Sequence, residues 1–254
     1  MESLWIASIV LIACLVGAGA GFYLRRFLPE SHLSGDSKDV VKQGFGLIAT
    51  MVALVLGLLV ATAKSSFDAE AAGFEQLSTN IIVLDRAFAN YGPEAQPSRE
   101  KLKHAIASMA ESLWPTSGPK HELVIDSTDV TKGGRELFAA IRELAPKDDT
   151  QRAIKTQAIA LGTELAKTRW SLSQPGEPLL PTPFLVVMIF WLGVLFASYG
   201  LFTPRNATVI ATLVICAVSL AGAIFLVVDL GEPTTGLIQV SGVSLRYALS
   251  QLGQ

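Results

Sequence analysis

The residues that could carry chemistry are few and dispersed. His32, His104 and His121 stand far apart. His32 lies in a polar link and reads as a solvated loop histidine. His104 lies on a helix between charged and apolar neighbours and reads as a surface residue. Asp68, Glu70 and Glu75 form a short acidic group. Carboxylates on one face can bind Ca²⁺, but calcium loops gather several oxygen ligands around a turn, which a helical i, i+2 pair does not supply. Cys14 and Cys216 sit inside apolar runs, with no CxxC pair, zinc spacing or disulfide framework. No GxSxG, HExxH, P-loop or dinucleotide fingerprint is present. The expectation is a chain with no metal, no cofactor and no enzymatic chemistry.

One spacing points to another kind of function. In the run Gly44–Ala63, Thr50, Leu54, Leu58 and Thr62 recur every fourth residue on one helical face, and Ala53, Gly57 and Ala61 lie on the adjacent face. Hydroxyls near both ends with leucines between suit a helix that lines a path for small ions. The same spacing suits a span packed inside one subunit. Spacing alone favours that plainer reading, because it is common in helix bundles.

The elements that must position these residues follow from hydropathy. Half of the 254 residues are hydrophobic and 17% are charged, and mean hydropathy is +0.45. That is a membrane composition with room for one modest water-exposed domain. A net charge of −2 gives no reason to expect nucleic acid as a partner. Leu4–Leu24 is a first span followed by Arg25 and Arg26. It is too long for a signal peptide's apolar core and has no basic segment before it. Gly17-x-x-x-Gly21 near its end allows another helix to approach closely. Pro29–Asp39 reads as a loop. Gly44–Ala63, about twenty residues without a charge, is the second span. Phe184–Phe202 and Ala207–Val228 are the third and fourth, joined by the tight turn Thr203-Pro204-Arg205-Asn206.

No turn signal ends the second span. Phe67, Phe74, Leu77, Ile81, Leu84 and Phe88 continue it as a heptad-like stripe, expected to form an apolar seam to partner helices in a homo-oligomer. Asn90-Tyr91-Gly92-Pro93 then turns the chain. Ser98 is placed to cap a helix Arg99–Leu113 that buries Ile106, Met109 and Leu113. Glu122–Val130 alternates as a short strand would, Glu136–Ala145 reads as a helix, and Asp148-Asp149-Thr150 opens a long helix to about Leu172. The seam of that last helix is Ile154, Ala158, Leu161, Leu165 and Thr168. Gly236–Gln254 reads as an amphipathic tail docked at the interface or on the domain. Trp5, Trp114, Trp170 and Trp191 fit interface anchoring and core packing. The expectation is an all-α integral membrane protein: spans one and two in 1–63, a helical extramembrane domain in 64–182, spans three and four in 183–230, and the tail in 231–254.

Orientation is divided. Arg25, Arg26, Lys38, Lys42 and Arg205 favour a cytoplasmic first loop, which would export the middle domain. Lys64, Lys167, Arg169 and Arg246 argue for the reverse. Lys167 and Arg169 also suit headgroup phosphates, with solvated helix charges the equal alternative.

Three runs carry a more specific signal: LDRAFANYGPEAQPSREKLKHAIASMAESLWP (84–115), PFLVVMIFWLGVLFASYGLFTPRNATVIATLVICAVSLAGAIFLVVDL (183–230) and GEPTTGLIQVS (231–241). Together they resemble the bestrophin-like family of bacterial membrane proteins, which is more distantly similar to bestrophins. The resemblance implies the layout of those pentameric anion channels: four spans, a helical cytoplasmic domain between spans two and three, and a pore lined by span two. It further implies a bacterial inner-membrane location, a homo-oligomer in the lipid bilayer, and small ions, chloride among them, as what passes. In one alignment Ala53, Gly57 and Ala61 occupy the places of the bulky bestrophin neck residues, and in a shifted register Leu54 and Leu58 turn inward. The aromatic run after span two is reduced to Phe67 and Phe74. The acidic calcium clasp is not visible, and Asp229-x-x-x-Pro233-x-x-Gly236 resembles only its Pro-Phe-Gly neighbourhood. A non-conducting scaffold or sensor that binds a protein partner is the alternative from another functional class.

Overall fold

The computed structural model describes residues 2–27, 35–114, 127–173, 182–232 and 236–253. His32, His121 and the first part of the strand-like stretch 122–130 lie outside them. Among the described residues the fold is all-α, with helices α1 (Glu2–Leu24), α2 (Gly35–Tyr91), α3 (Gln96–Leu113), α4 (Ser127–Glu143), α5 (Asp149–Ser173), α6 (Thr182–Phe202), α7 (Ala207–Leu230) and α8 (Val243–Gln251). The ambiguous stretch Glu122–Val130 is helical where it is described: Ser127–Val130 is the first turn of α4. α1, α2, α6 and α7 are long and apolar enough to cross a membrane, and the chain is an integral membrane protein. It divides into two compact units, Met1–Phe67 with Gly176–Ile238, and Asp68–Pro175 with Gln239–Gln254.

In the first unit α1 packs along α6 and α7. Lipid tails are as apolar as leucine, so span association rests on close packing more than on the hydrophobic effect. Glycine makes the closeness possible here. A Cβ on Gly17 would collide with the Gly193 carbonyl oxygen, one on Gly21 with that of Ala197, and one on Gly200 with that of Ala18. The Gly17-x-x-x-Gly21 pair is thus an intrachain contact of α1 on α6. Around it Val10, Cys14, Leu192, Phe196, Ala217 and Ile224 are buried in one cluster.

Both ends of this unit are tied by polar groups. At one, Arg25 Nη1 donates to the Thr203 carbonyl at 2.6 Å, and the Arg205 guanidinium stands 5.2 Å from the Phe22 ring centroid. Asn206 caps α7 by accepting from the Val209 amide at 2.8 Å. At the other, Asp229 is fully buried and accepts from Ser3 Oγ (3.2 Å), the Leu237 amide (3.0 Å) and the Ile238 amide (2.8 Å). A buried carboxylate needs such donors, and here they hold the chain that leaves α7. A side chain at Gly236 would press on the Asp229 carbonyl at 2.8 Å.

The second unit is held differently. Phe74, Leu77, Ile81, Leu84 and Phe88 of α2 are buried, with Phe74 edge-on to Trp114 at 5.2 Å. Asp85 is 2% exposed and takes a two-pronged pair from Arg99, at 2.8 Å from Nε and 2.7 Å from Nη2. Gly92, at φ 115°, makes the left-handed step that ends α2. α3 starts three residues earlier than expected, so Ser98 lies inside it and is buried instead of capping it. Asp148 does cap α5, accepting from the Gln151 amide at 2.7 Å. Lys155 Nζ donates to the Arg142 and Leu144 carbonyls, each at 2.7 Å, closing the end of α4. The tail docks within this unit: α8 packs on α3, Leu245 and Ala248 are buried, and the Trp114 indole N–H donates to the Val240 carbonyl at 3.1 Å.

Candidate functional site

The candidate site is the face of α2 that carries Thr50 to Thr62. Phe45, Ile48, Val52, Val55, Leu56 and Leu59 turn into the bundle of the first unit. At about 100° per residue, Thr50, Leu54, Gly57 and Ala61 project from the opposite side, with Ala53 and Leu58 flanking them and Thr62 at the margin. All seven are exposed within the chain. Leu54 is 75% and Leu58 67% exposed, and a Cβ on Gly57 would meet nothing within 4 Å. The candidate set is therefore one continuous surface, and it is not the surface that α2 uses to pack within the chain.

Two further details belong to this face. The Thr50 hydroxyl donates to the Gly46 carbonyl and that of Thr62 to the Leu58 carbonyl, both at 2.9 Å. Such back-bonding is usual for threonine inside a helix. It leaves the oxygen lone pairs, and not the hydroxyl protons, directed outward. Leu47 and Met51, 71% and 53% exposed, extend the same face by a turn. Their i, i+4 and i, i+3 steps to Leu54 are the signal that would have added them.

The stripe expected to form an oligomer seam is packed within the single chain. Phe74, Leu77, Ile81 and Leu84 are no more than 3% exposed within the single chain. Their stripe is covered by the chain's own helices, as the Phe74–Trp114 contact shows. Phe67, the first of the series, is half-buried, and the Lys64 ammonium lies 5.6 Å from its ring centroid.

The acidic residues do not converge. Asp68 and Glu75 are exposed and Glu70 is half-buried, and among the described residues no three His, Cys, Asp or Glu side chains are grouped to hold a metal. His104 is exposed on α3.

A family model described as the Bestrophin-like domain matches residues 11–245. No curated protein matches the chain. Two crystal structures of a bacterial bestrophin homolog from Klebsiella pneumoniae, each carrying a single substitution, share the fold. The TM-scores are 0.66 and 0.65, each at 13% identity and with the whole of both chains covered.

Proposed function

We propose, from the premise that this chain belongs to the bestrophin-like domain family, that it forms a homo-oligomeric channel for small anions whose pore is lined by α2. A pentamer is the stoichiometry that the bestrophin resemblance implies. The observation that carries this reading is the unpartnered face of α2. Only 6% of its apolar window is buried, against 22–33% for the other three spans. A single helix cannot enclose a pore, so several copies must bring this face together around an axis.

Leu54 and Leu58 are the constricting pair. They are the bulky side chains of the central turns, and a tight leucine ring closes by dewetting. Ala53, Gly57 and Ala61 leave room beside them for neighbouring helices. Thr50 and Thr62 mark the two wetter ends. By the same resemblance the helical middle domain is cytoplasmic. A single cysteine at exposed Lys103, in a chain without Cys14 and Cys216, stays unlabelled by an impermeant reagent in intact cells, and labelling there overturns that orientation.

One observation favours a second reading, a non-conducting scaffold. The outward face is almost wholly apolar and its threonine protons are bound to the helix backbone, as on a surface facing lipid. Purified protein in liposomes separates the two. Anion flux supports the channel, and no flux of any ion across a range of pH, calcium and voltage leaves the scaffold.

A further inference from the structure

α1 ends at Leu24, and the turn from α6 to α7 holds Thr203–Asn206, so Arg25, Arg26 and Arg205 stand at one end of the first unit, just outside three spans. Arg25 reaches from α1 to the turn, where its Nη1 donates to the Thr203 carbonyl at 2.6 Å. Arg205 reaches back from the turn to α1, with its guanidinium 5.2 Å from the Phe22 ring centroid. Arg25 and Arg26 follow Phe22 by three and four residues, which places both beside that ring. Three cations thus gather around Phe22. The groups that hold Arg25 and Arg205, a carbonyl and a ring, are neutral and leave both net charges in place. Among the described residues no carboxylate pairs with Arg25, Arg26 or Arg205. Like charges brought together in this way repel, and an anion from outside the chain relieves the repulsion.

The surface leading to these cations is apolar. Leu15, Gly19, Phe22 and Arg26 follow one another in steps of four, three and four, so they form a single row along α1. Leu15 and Gly19 are exposed, and a Cβ on Gly19 would meet nothing within 4 Å. Tyr23 and Phe27, both exposed, pack edge to face beside the row at 5.1 Å, as aromatic side chains do at the membrane–water interface. We infer that this end of the first unit binds an anionic phospholipid, with the phosphate at Arg25, Arg26 and Arg205 and an acyl chain along Leu15, Gly19 and Phe22. The forked guanidinium donors match phosphate oxygens, and residues at the ends of spans stand at headgroup depth. A zwitterionic lipid brings an amine that the same cations repel. A free inorganic anion would leave the apolar row unused. The inference does not rest on the channel reading, since lipid retention is measured without flux.

The test uses the full chain in nanodiscs of phosphatidylglycerol and phosphatidylcholine in equal parts. Native mass spectrometry counts the lipids retained, and a phosphatidylglycerol with a photoreactive acyl chain maps where they lie. Phosphatidylglycerol is expected to be retained in preference, with labelling on α1 between Leu15 and Phe27. Arg25→Gln with Arg205→Gln should lower that preference about tenfold or more, and Arg25→Lys with Arg205→Lys should keep most of it. Gly19→Leu should weaken retention by blocking the row, without lowering the melting temperature. Circular dichroism on each variant separates lost binding from lost folding. If loss of the Thr203 contact prevents folding, Arg26→Gln with Arg205→Gln decides instead. Equal retention of the two lipids, unchanged retention in a folded double Gln variant or in Gly19→Leu, labelling confined to other helices, or displacement of the lipid by inorganic phosphate at constant ionic strength overturns the inference.

Discussion

Between Gly44 and Ala63 the side chains that α2 exposes are leucine, methionine, alanine, valine and threonine. Between Asp68 and Tyr91 they are chiefly Asp68, Glu75, Gln76, Thr79, Arg86 and Asn90. The helix is continuous through both stretches, so backbone geometry does not distinguish them. What differs is the completeness of the packing. In the second stretch the apolar stripe is buried and the remaining face is polar, which is the pattern of a helix finished within one subunit and facing water. In the first, the buried face and the exposed face are both apolar. Such a surface is stable only against lipid or another copy of the chain. The uncovered apolar face therefore belongs to the span, and the Phe74–Leu84 stripe is packed within the chain.

Substitutions in and around the two stretches test this contrast. The largest effect is expected from Arg99→Ala, which leaves Asp85 buried without its cation. The two side chains are 15% and 3% exposed, and breaking a buried pair costs about 3–5 kcal/mol. Thermal or denaturant unfolding should show it, and an unchanged melting temperature would mean that the pair is not buried in the assembled protein. Leu77→Ala comes next, at about 2–5 kcal/mol for a core leucine. It should lower stability without changing subunit number, and loss of the oligomer with no loss of stability would return Leu77 to an intersubunit seam.

Leu58→Ala is expected to do the reverse. Its side chain is exposed within the chain, so stability should stay within about 0.5 kcal/mol, while basal anion conductance rises as the constriction widens. Unchanged conductance in Leu58→Ala, together with a block by Ala61→Trp, assigns the narrow ring to the small residues. If neither variant alters flux in a conducting protein, α2 does not line the pore.

The smallest effect belongs to Glu94 and Lys147, which are paired at the surface. The hydrogen bond from Lys147 is the main reason that Glu94 titrates below its ordinary value. A lowered carboxylate pKa contributes stability at neutral pH that is lost as pH falls through the folded value. The gap in melting temperature between the natural protein and Glu94→Gln should therefore close between about pH 6 and pH 3. A gap that widens with acid would refute the pairing. Exposed pairs contribute little, so the gap is expected to be narrow throughout.

Much of the architecture was legible because hydropathy and period are local properties. The four spans, the turn at Gly92, the start of α5 at Asp148-Asp149-Thr150 and the buried face of α3 through Ile106 and Met109 all follow from residues a few positions apart. Ser98 was misplaced because Pro97 serves equally well in the first turn of a helix that starts earlier. Glu122–Val130 was ambiguous because its alternation covers too few residues to separate a strand from the start of the amphipathic helix that continues to Glu143. Neither the Asp85–Arg99 pair nor the meeting of Arg25 with Arg205 has a local signature, since each joins separate elements of the chain.

Hydropathy and period were enough to establish that this protein crosses a membrane, that it is helical, and that α2 carries both a polar-ended apolar face and a heptad-like stripe. Periodicity specifies which residues share a face, because 3.6 residues per turn is a property of the backbone alone. It does not specify what a face meets. Helix packing covers Leu77, Ile81 and Leu84 with the chain's own helices and leaves Leu54 and Leu58 uncovered. It does so because burial depends on where α3, α5 and the other spans come to lie.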